Sequence, residues 1–118
     1  MVRVQAAALT PPEFQILLAL GDGERHGYDI MLTIARESEG GPRIGPTTLY
    51  RSIRRLLHKG LIAESEERPD PSLDDQRRRY YRLTPRGLDA ARAEAARLQR
   101  LLALADQKSL VPRVEEQA

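Results

Sequence analysis

The sequence predicts a mainly α-helical chain with a small two-stranded β element after its third helix and a long helix at its end. Three observations carry that expectation. Apolar residues recur at helical spacing in successive stretches, the period falls to about 2 after Gly60, and helical spacing then returns. Threonine, proline and glycine stand where those stretches begin and end, as capping chemistry requires.

The first stretch starts at Thr10-Pro11-Pro12-Glu13, a capping box in which the hydroxyl accepts from the third amide and the glutamate reaches back. The helix is expected over about Pro11 to Leu20. Phe14, Ile16, Leu17, Leu18, Ala19 and Leu20 leave it apolar nearly all round, so it needs cover on more than one side, and a partner subunit is the expected second cover. Gly21-Asp22-Gly23 ends it as a turn. His26-Gly27-Tyr28 opens a second helix running to about Glu37, with Ile30, Leu32, Ile34 and Ala35 as its apolar positions. Gly27 allows a close backbone approach, to another helix or to a phosphate. Tyr28 is expected as a core aromatic with its hydroxyl at the rim.

The third helix lies in Gly45 to Ile62, GPTTLYRSIRRLLHKGLI, with Pro46 as its first residue and Gly60 just past its end. Leu49, Ile53, Leu56 and Leu57 form an apolar stripe, and Thr47, Thr48, Arg51, Arg54, Arg55 and His58 occupy the far side. No acid occurs from Arg43 to Lys59. Most charged helix faces are only solvated. This one also suits DNA, because arginine forks read guanine edges or phosphates and threonine packs on the thymine methyl.

Beyond Gly60, Leu61 to Glu66 and Arg77 to Leu83 are expected as strands, which makes a wing on a helix-turn-helix. Alternation puts Arg79, Tyr81 and Leu83 on one side of the second strand and Arg78, Tyr80 and Arg82 on the other. The arginine run of that strand favours the DNA interpretation of the third helix. The segment Glu64 to Asp75 opposes it locally, since it carries six acids and one arginine, and like charges near phosphate are repelled. Thr84-Pro85 caps the last helix, expected to about Lys108. Leu88, Ala91, Ala95, Leu98, Leu102 and Ala105 follow steps of three and four, the seam of helices that pair. The domains are therefore a winged helix-turn-helix over 10–84, a dimerisation helix over 85–108, and flexible ends at 1–9 and 109–118.

At 118 residues there is room for one domain and one modest core. With 41% hydrophobic and 31% charged residues the chain should fold. The net charge of +2 excludes a bulk polycation, so nucleic-acid binding must come from local clustering. The absence of cysteine rules out disulfides and thiolate metal sites and fits a reducing cytoplasm, the expected location. No apolar run approaches the ~18 residues of a membrane span. The start, MVRVQAAAL, has too short an apolar segment for a signal peptide.

Three motifs in order, HGYDI at His26 to Ile30, PTTLYRSIRRLLHKGLI, and RRRYYRLTPRG at Arg77 to Gly87, resemble the PadR family of bacterial transcriptional regulators over about Pro12 to Lys108. The short C-terminal part is similar to the compact subfamily with a single dimerisation helix. The resemblance implies a homodimeric repressor on a near-palindromic operator in double-stranded DNA, released by a small, often aromatic, effector. By motif position it implies DNA contacts from Thr47, Thr48, Tyr50, Arg51 and Arg54 and from the arginine strand of the wing, Arg77 and Arg78; the cationic face of the third helix adds Arg55 to the expected contacts. The seam of the last helix and the all-round apolar first helix place the expected dimer interface at Phe14, Leu17, Leu88, Ala91, Ala95, Leu98 and Leu102. Two departures stand out: the acidic, proline-containing wing loop, and the lack of any tryptophan, which drug-binding members stack on their ligands.

No catalytic constellation is present. The two histidines, His26 and His58, fit no metal-binding spacing, and Gly45-Pro46-Thr47-Thr48 lacks the lysine of a phosphate-binding loop. No catalysis, metal or cofactor is expected. The alternatives to a DNA-binding regulator are a winged-helix protein-interaction module and a small-molecule sensor or carrier with its pocket at the dimer interface.

Overall fold

The computed structural model describes residues 9–39, 41, 43–65 and 79–113. Helix α1 (Pro11–Ala19) begins with the capping box. Thr10 Oγ1 accepts from the Glu13 amide at 3.2 Å, and Glu13 Oε1 accepts from the Thr10 amide at 2.9 Å. The helix buries Ile16, Leu17 and Ala19 within its own chain, while Leu18 points outward. Leu17, expected at the dimer interface, is thus taken up by the core, and Leu18 is the leucine of α1 left exposed.

The turn after α1 is held by Arg25, whose Nε donates to the Ala19 carbonyl at 2.8 Å while Nη1 and Nη2 reach Asp29 at 3.0 Å and Asp22 at 3.2 Å. Strand β1 (Arg25–His26) leads straight into helix α2 (Gly27–Glu37). The cap of α2 is a histidine: His26 Nδ1 accepts from the Asp29 amide at 3.1 Å. Ile30, Thr33 and Ile34 face the core. Tyr28 lies off that side and is 49% exposed, not a core aromatic.

Helix α3 (Pro46–Lys59) has Pro46 in its first turn and stops at Gly60, whose φ of 76° lies in the left-handed region. Strand β2 (Ile62–Glu64) and strand β3 (Tyr80–Leu83) follow, then helix α4 (Pro85–Gln107). The sheet has three strands in the order β1-β3-β2, all antiparallel. β1 is an addition to the expected wing; it pairs Arg25 with Tyr81 and His26 with Tyr80. β2 starts one residue later than expected because the Leu61 amide closes the end of α3, although its carbonyl still pairs in register with Thr84. The Leu61 amide donates to Leu56 O at 3.0 Å, and Leu61 O accepts from the Thr84 amide at 3.2 Å. The expected strand ends at Glu66 and at Arg77–Arg78, and the acidic wing loop, lie outside the described residues.

One core joins these elements: Ile16 and Leu17 from α1, Ile30 and Ile34 from α2, Leu49, Ile53 and Leu56 from α3, Ile62 and Tyr81 from the sheet. Burial beside Glu64 pushes the Tyr81 hydroxyl above its ordinary value, which keeps it neutral under the wing. Helix α4 docks through its first turns. Thr84 Oγ1 accepts from the Gly87 amide at 3.0 Å and donates to Gly60 O at 2.7 Å. Gly87 sits against the backbone of Leu61, where an added Cβ would come within 1.9 Å of the carbonyl oxygen. From Ala95 onward no residue of α4 is buried. The helix ends with Ser109 in the left-handed region, φ 60°, and the Leu110 amide closing on Ala105 O at 2.8 Å. No helix of the described residues is long and apolar enough to cross a membrane.

Candidate nucleic-acid interface

Helix α3 is anchored by Leu49, Ser52, Ile53 and Leu56, all buried. At 3.6 residues per turn the residues opposite that anchor are Thr47, Arg51, Arg54 and His58, spaced four, three and four apart. All of them are exposed. Among the described residues no ion pair holds Arg51 or Arg54, so both guanidinium forks point into solvent with their donors open. The exposed Thr48 stands beside this stripe at the amino end of the helix. The α3 cap is Gly45, which supplies no side-chain acceptor, leaving the first amides of the helix for another acceptor.

The two flanks of the stripe are tied down. On one, the Tyr50 ring lies over Gly27, where an added Cβ would come within 2.7 Å of the Tyr50 hydroxyl. Gly27 therefore serves a close approach between α2 and α3, which gives Tyr50 a packing role and leaves it half-buried. Next to it, the His26 ring meets the Tyr80 ring edge-on at 5.5 Å, joining the start of α2 to the wing.

On the other flank, Arg55 and Lys59 turn back to α1. Arg55 Nε donates to Glu13 Oε2 at 3.3 Å, and Lys59 Nζ donates to both Glu13 oxygens at 3.2 and 3.3 Å. The Glu13 carboxylate is only 1% exposed. Burial alone would raise its pKa, but the Thr10 amide, Lys59 and Arg55 together hold it below the ordinary carboxyl value, so it stays ionised. Arg55, expected among the DNA contacts, thus has a partner within its own chain. From the sequence alone Glu13 reads as a capping residue. The missed signal is that Glu13 precedes Ile16 and Leu17 by three and four residues, which places it on the buried side of α1.

On the wing, Tyr81 points inward and Arg82 outward, as the alternation requires. Arg79 pairs with Glu64 at 3.3 Å on the inward side. Arg77 and Arg78 lie outside the described residues. Of the expected dimer residues on α4, Leu88, Ala95, Leu98 and Leu102 are exposed and Ala91 is half-buried against the core. Phe14 is half-buried on α1. Leu101 and Leu104 add to the exposed apolar surface of α4.

Comparison with known proteins agrees with this architecture. The model of the transcriptional regulator PadR-like family matches residues 16–93. An uncharacterized 37.1 kDa protein in a Streptomyces fradiae transposon is 38% identical over 73% of the chain, which spans 22% of that protein's length. A transcriptional regulator of Mycobacterium tuberculosis is 36% identical over 73% of the chain and 74% of its own length. The crystal structure of a PadR family transcription regulator from Clostridium difficile superposes with a TM-score of 0.67 at 21% identity, over 83% of this chain and 97% of that one, and so shares the fold.

Proposed function

The chain belongs to the PadR-like family of transcriptional regulators, which are not enzymes, and from that premise we propose that it is a homodimeric repressor acting on the bacterial chromosome in the cytoplasm. Each subunit inserts α3 into a major groove with Thr47, Arg51, Arg54 and His58 toward the base edges. Thr48 lies beside them at the amino end of α3. Arg82, exposed on the wing, is assigned to phosphate, and so, from its place in the family motif, is Arg78. The observation that carries this reading is the open pair Arg51 and Arg54, opposite a fully buried anchor on an acid-free helix.

The dimer part rests on α4, whose Leu98, Leu101, Leu102 and Leu104 have no cover within the described residues. A second copy related by a two-fold axis would cover them and set two half-sites one or two helical turns apart. What supports an effector is the open groove of about 410 Å³ between Leu9, Lys59, Leu61 and the Arg86–Ala93 turns of α4, because a ligand there would touch the last residue of α3. With no tryptophan in the chain, stacking on a flat drug is not its basis.

Footprinting and gel shift on DNA upstream of the protein's own gene test the proposal. Arg51→Ala and Arg54→Ala are each expected to weaken operator binding by about 1–3 kcal/mol. Unchanged affinity in both would show that the wrong face has been assigned. No shift at low salt would point instead to a protein-interaction module.

A further inference from the structure

We propose that Glu13 is a specificity-determining residue, a buried carboxylate that withholds Arg55 and Lys59 from DNA phosphate and so confines contact to the central stripe of α3. This rests on the DNA-binding role of α3 given above.

Three observations lead to it. Arg55 and Lys59 stand one turn apart on a single flank of α3, beside the stripe of Thr47, Arg51, Arg54 and His58. When a helix enters a groove, its central residues meet base edges and its flanks stand against the sugar-phosphate walls. Arg55 is 47% exposed, long and permanently charged, so nothing steric keeps it from that wall. What keeps it is Glu13, 42 residues earlier in the chain, at 3.3 Å. Lys59 is bound to both oxygens of the same carboxylate.

The carboxylate is fixed independently of them. Thr10 holds Oε1 through the capping box, and the α1 core residues Ile16 and Leu17 hold the helix. It therefore acts as a stationary counter-charge, not as a mobile surface acid. The consequence is thermodynamic. Phosphate contacts raise affinity for every sequence alike, whereas specificity is the ratio of operator to non-operator binding. Neutralising flank cations lowers the common term and leaves base contacts untouched.

The test uses Glu13→Gln in the full chain. Glutamine at the third helical position still completes a capping box, so the fold of α1 is kept while the charge is lost. Binding to a mixed-sequence duplex is measured across a range of salt concentrations for the unaltered protein, Glu13→Gln, Arg55→Gln and the double variant. In Glu13→Gln the log–log salt slope is expected to steepen by about two per bound subunit, one for each released cation, and affinity at low salt to rise roughly tenfold. The double variant should lose about half of that change, Lys59 alone remaining released. Arg55→Gln alone should leave it unchanged, since that guanidinium is already engaged. A purely structural role for Glu13 would lower thermal stability without steepening the slope. An unchanged slope in Glu13→Gln, or a slope flattened by Arg55→Gln alone, overturns the proposal. Should Glu13→Gln fail to fold, the Arg55→Gln slope still decides. Failure of the unaltered protein to bind any duplex at low salt would instead remove the DNA-binding role itself, and this proposal with it.

Discussion

Helices α3 and α4 both start on a proline and both carry an apolar stripe, but the chain covers only one of the two. In α3, Leu49, Ile53 and Leu56 are buried, and the opposite side is left to cations. In α4, only Gly87 and Glu94 are buried, and Leu102 is 60% exposed. The wing lies between them and contacts both. The difference teaches which half of the molecule is self-sufficient. The helix proposed to face DNA draws its anchor from its own chain. The far half of α4 has an apolar surface that needs something outside the chain, and a second copy is the occupant proposed.

That contrast can be broken by substitution. Leu56→Ala removes fully buried volume from the α3 anchor and should cost about 2–5 kcal/mol in chemical denaturation, whatever the protein concentration. Leu102→Glu on α4 should leave intrinsic unfolding within about 0.5 kcal/mol, yet weaken self-association on the order of tenfold or more in sedimentation. If Leu102→Glu unfolds the monomer, or leaves association intact, the two helices do not divide their roles in this way.

A pH series sharpens the α3 side. The folded Glu13 carboxyl lies below its ordinary value of 4.5, so the folded state binds fewer protons there than the unfolded chain. Its contribution to stability is then complete above about pH 4.5 and lost as pH falls through the folded value. Acid unfolding followed by circular dichroism should show a shallower loss in Glu13→Gln than in the unaltered protein, with Thr10, Arg55 and Lys59 intact in both. Parallel curves would mean that the carboxylate is not held by these cations in solution. The smallest effect is expected at the end of α4. Ser109 occupies a left-handed position that glycine fills without strain at Gly60. Ser109→Gly should raise the midpoint of thermal unfolding slightly, for a gain below about 1 kcal/mol.

Much of α3 could be read from the sequence because its signals are local. Pro46 and Gly60 mark its ends, and four apolar residues within a few turns reveal its anchored side. The capping boundaries of α1 and α4 were legible for the same reason. β1 was not. It is a strand of two residues whose ladder partners, Tyr80 and Tyr81, lie more than fifty positions later. A pairing that short leaves no period to detect. His26 as a helix cap was missed because that place usually falls to serine, threonine, aspartate or asparagine. The ion pairs of Glu13 were missed because its capping role already explained the residue. Its second role depends on contacts 42 and 46 positions away. Tyr28 was misplaced because it stands two residues before Ile30, across the helix from the buried side of α2, and Leu17 for a different reason. A helix that is apolar nearly all round does not announce which side its own chain will take.

The junction at Thr84 has a mechanical meaning. One hydroxyl grips the carbonyl just past α3 and the amide that opens the first turn of α4, and the next contact is backbone on backbone at Gly87. The two helices are in effect riveted end to end, with the loop of the wing bypassed. The end of α3 and the start of α4 therefore share a single anchor.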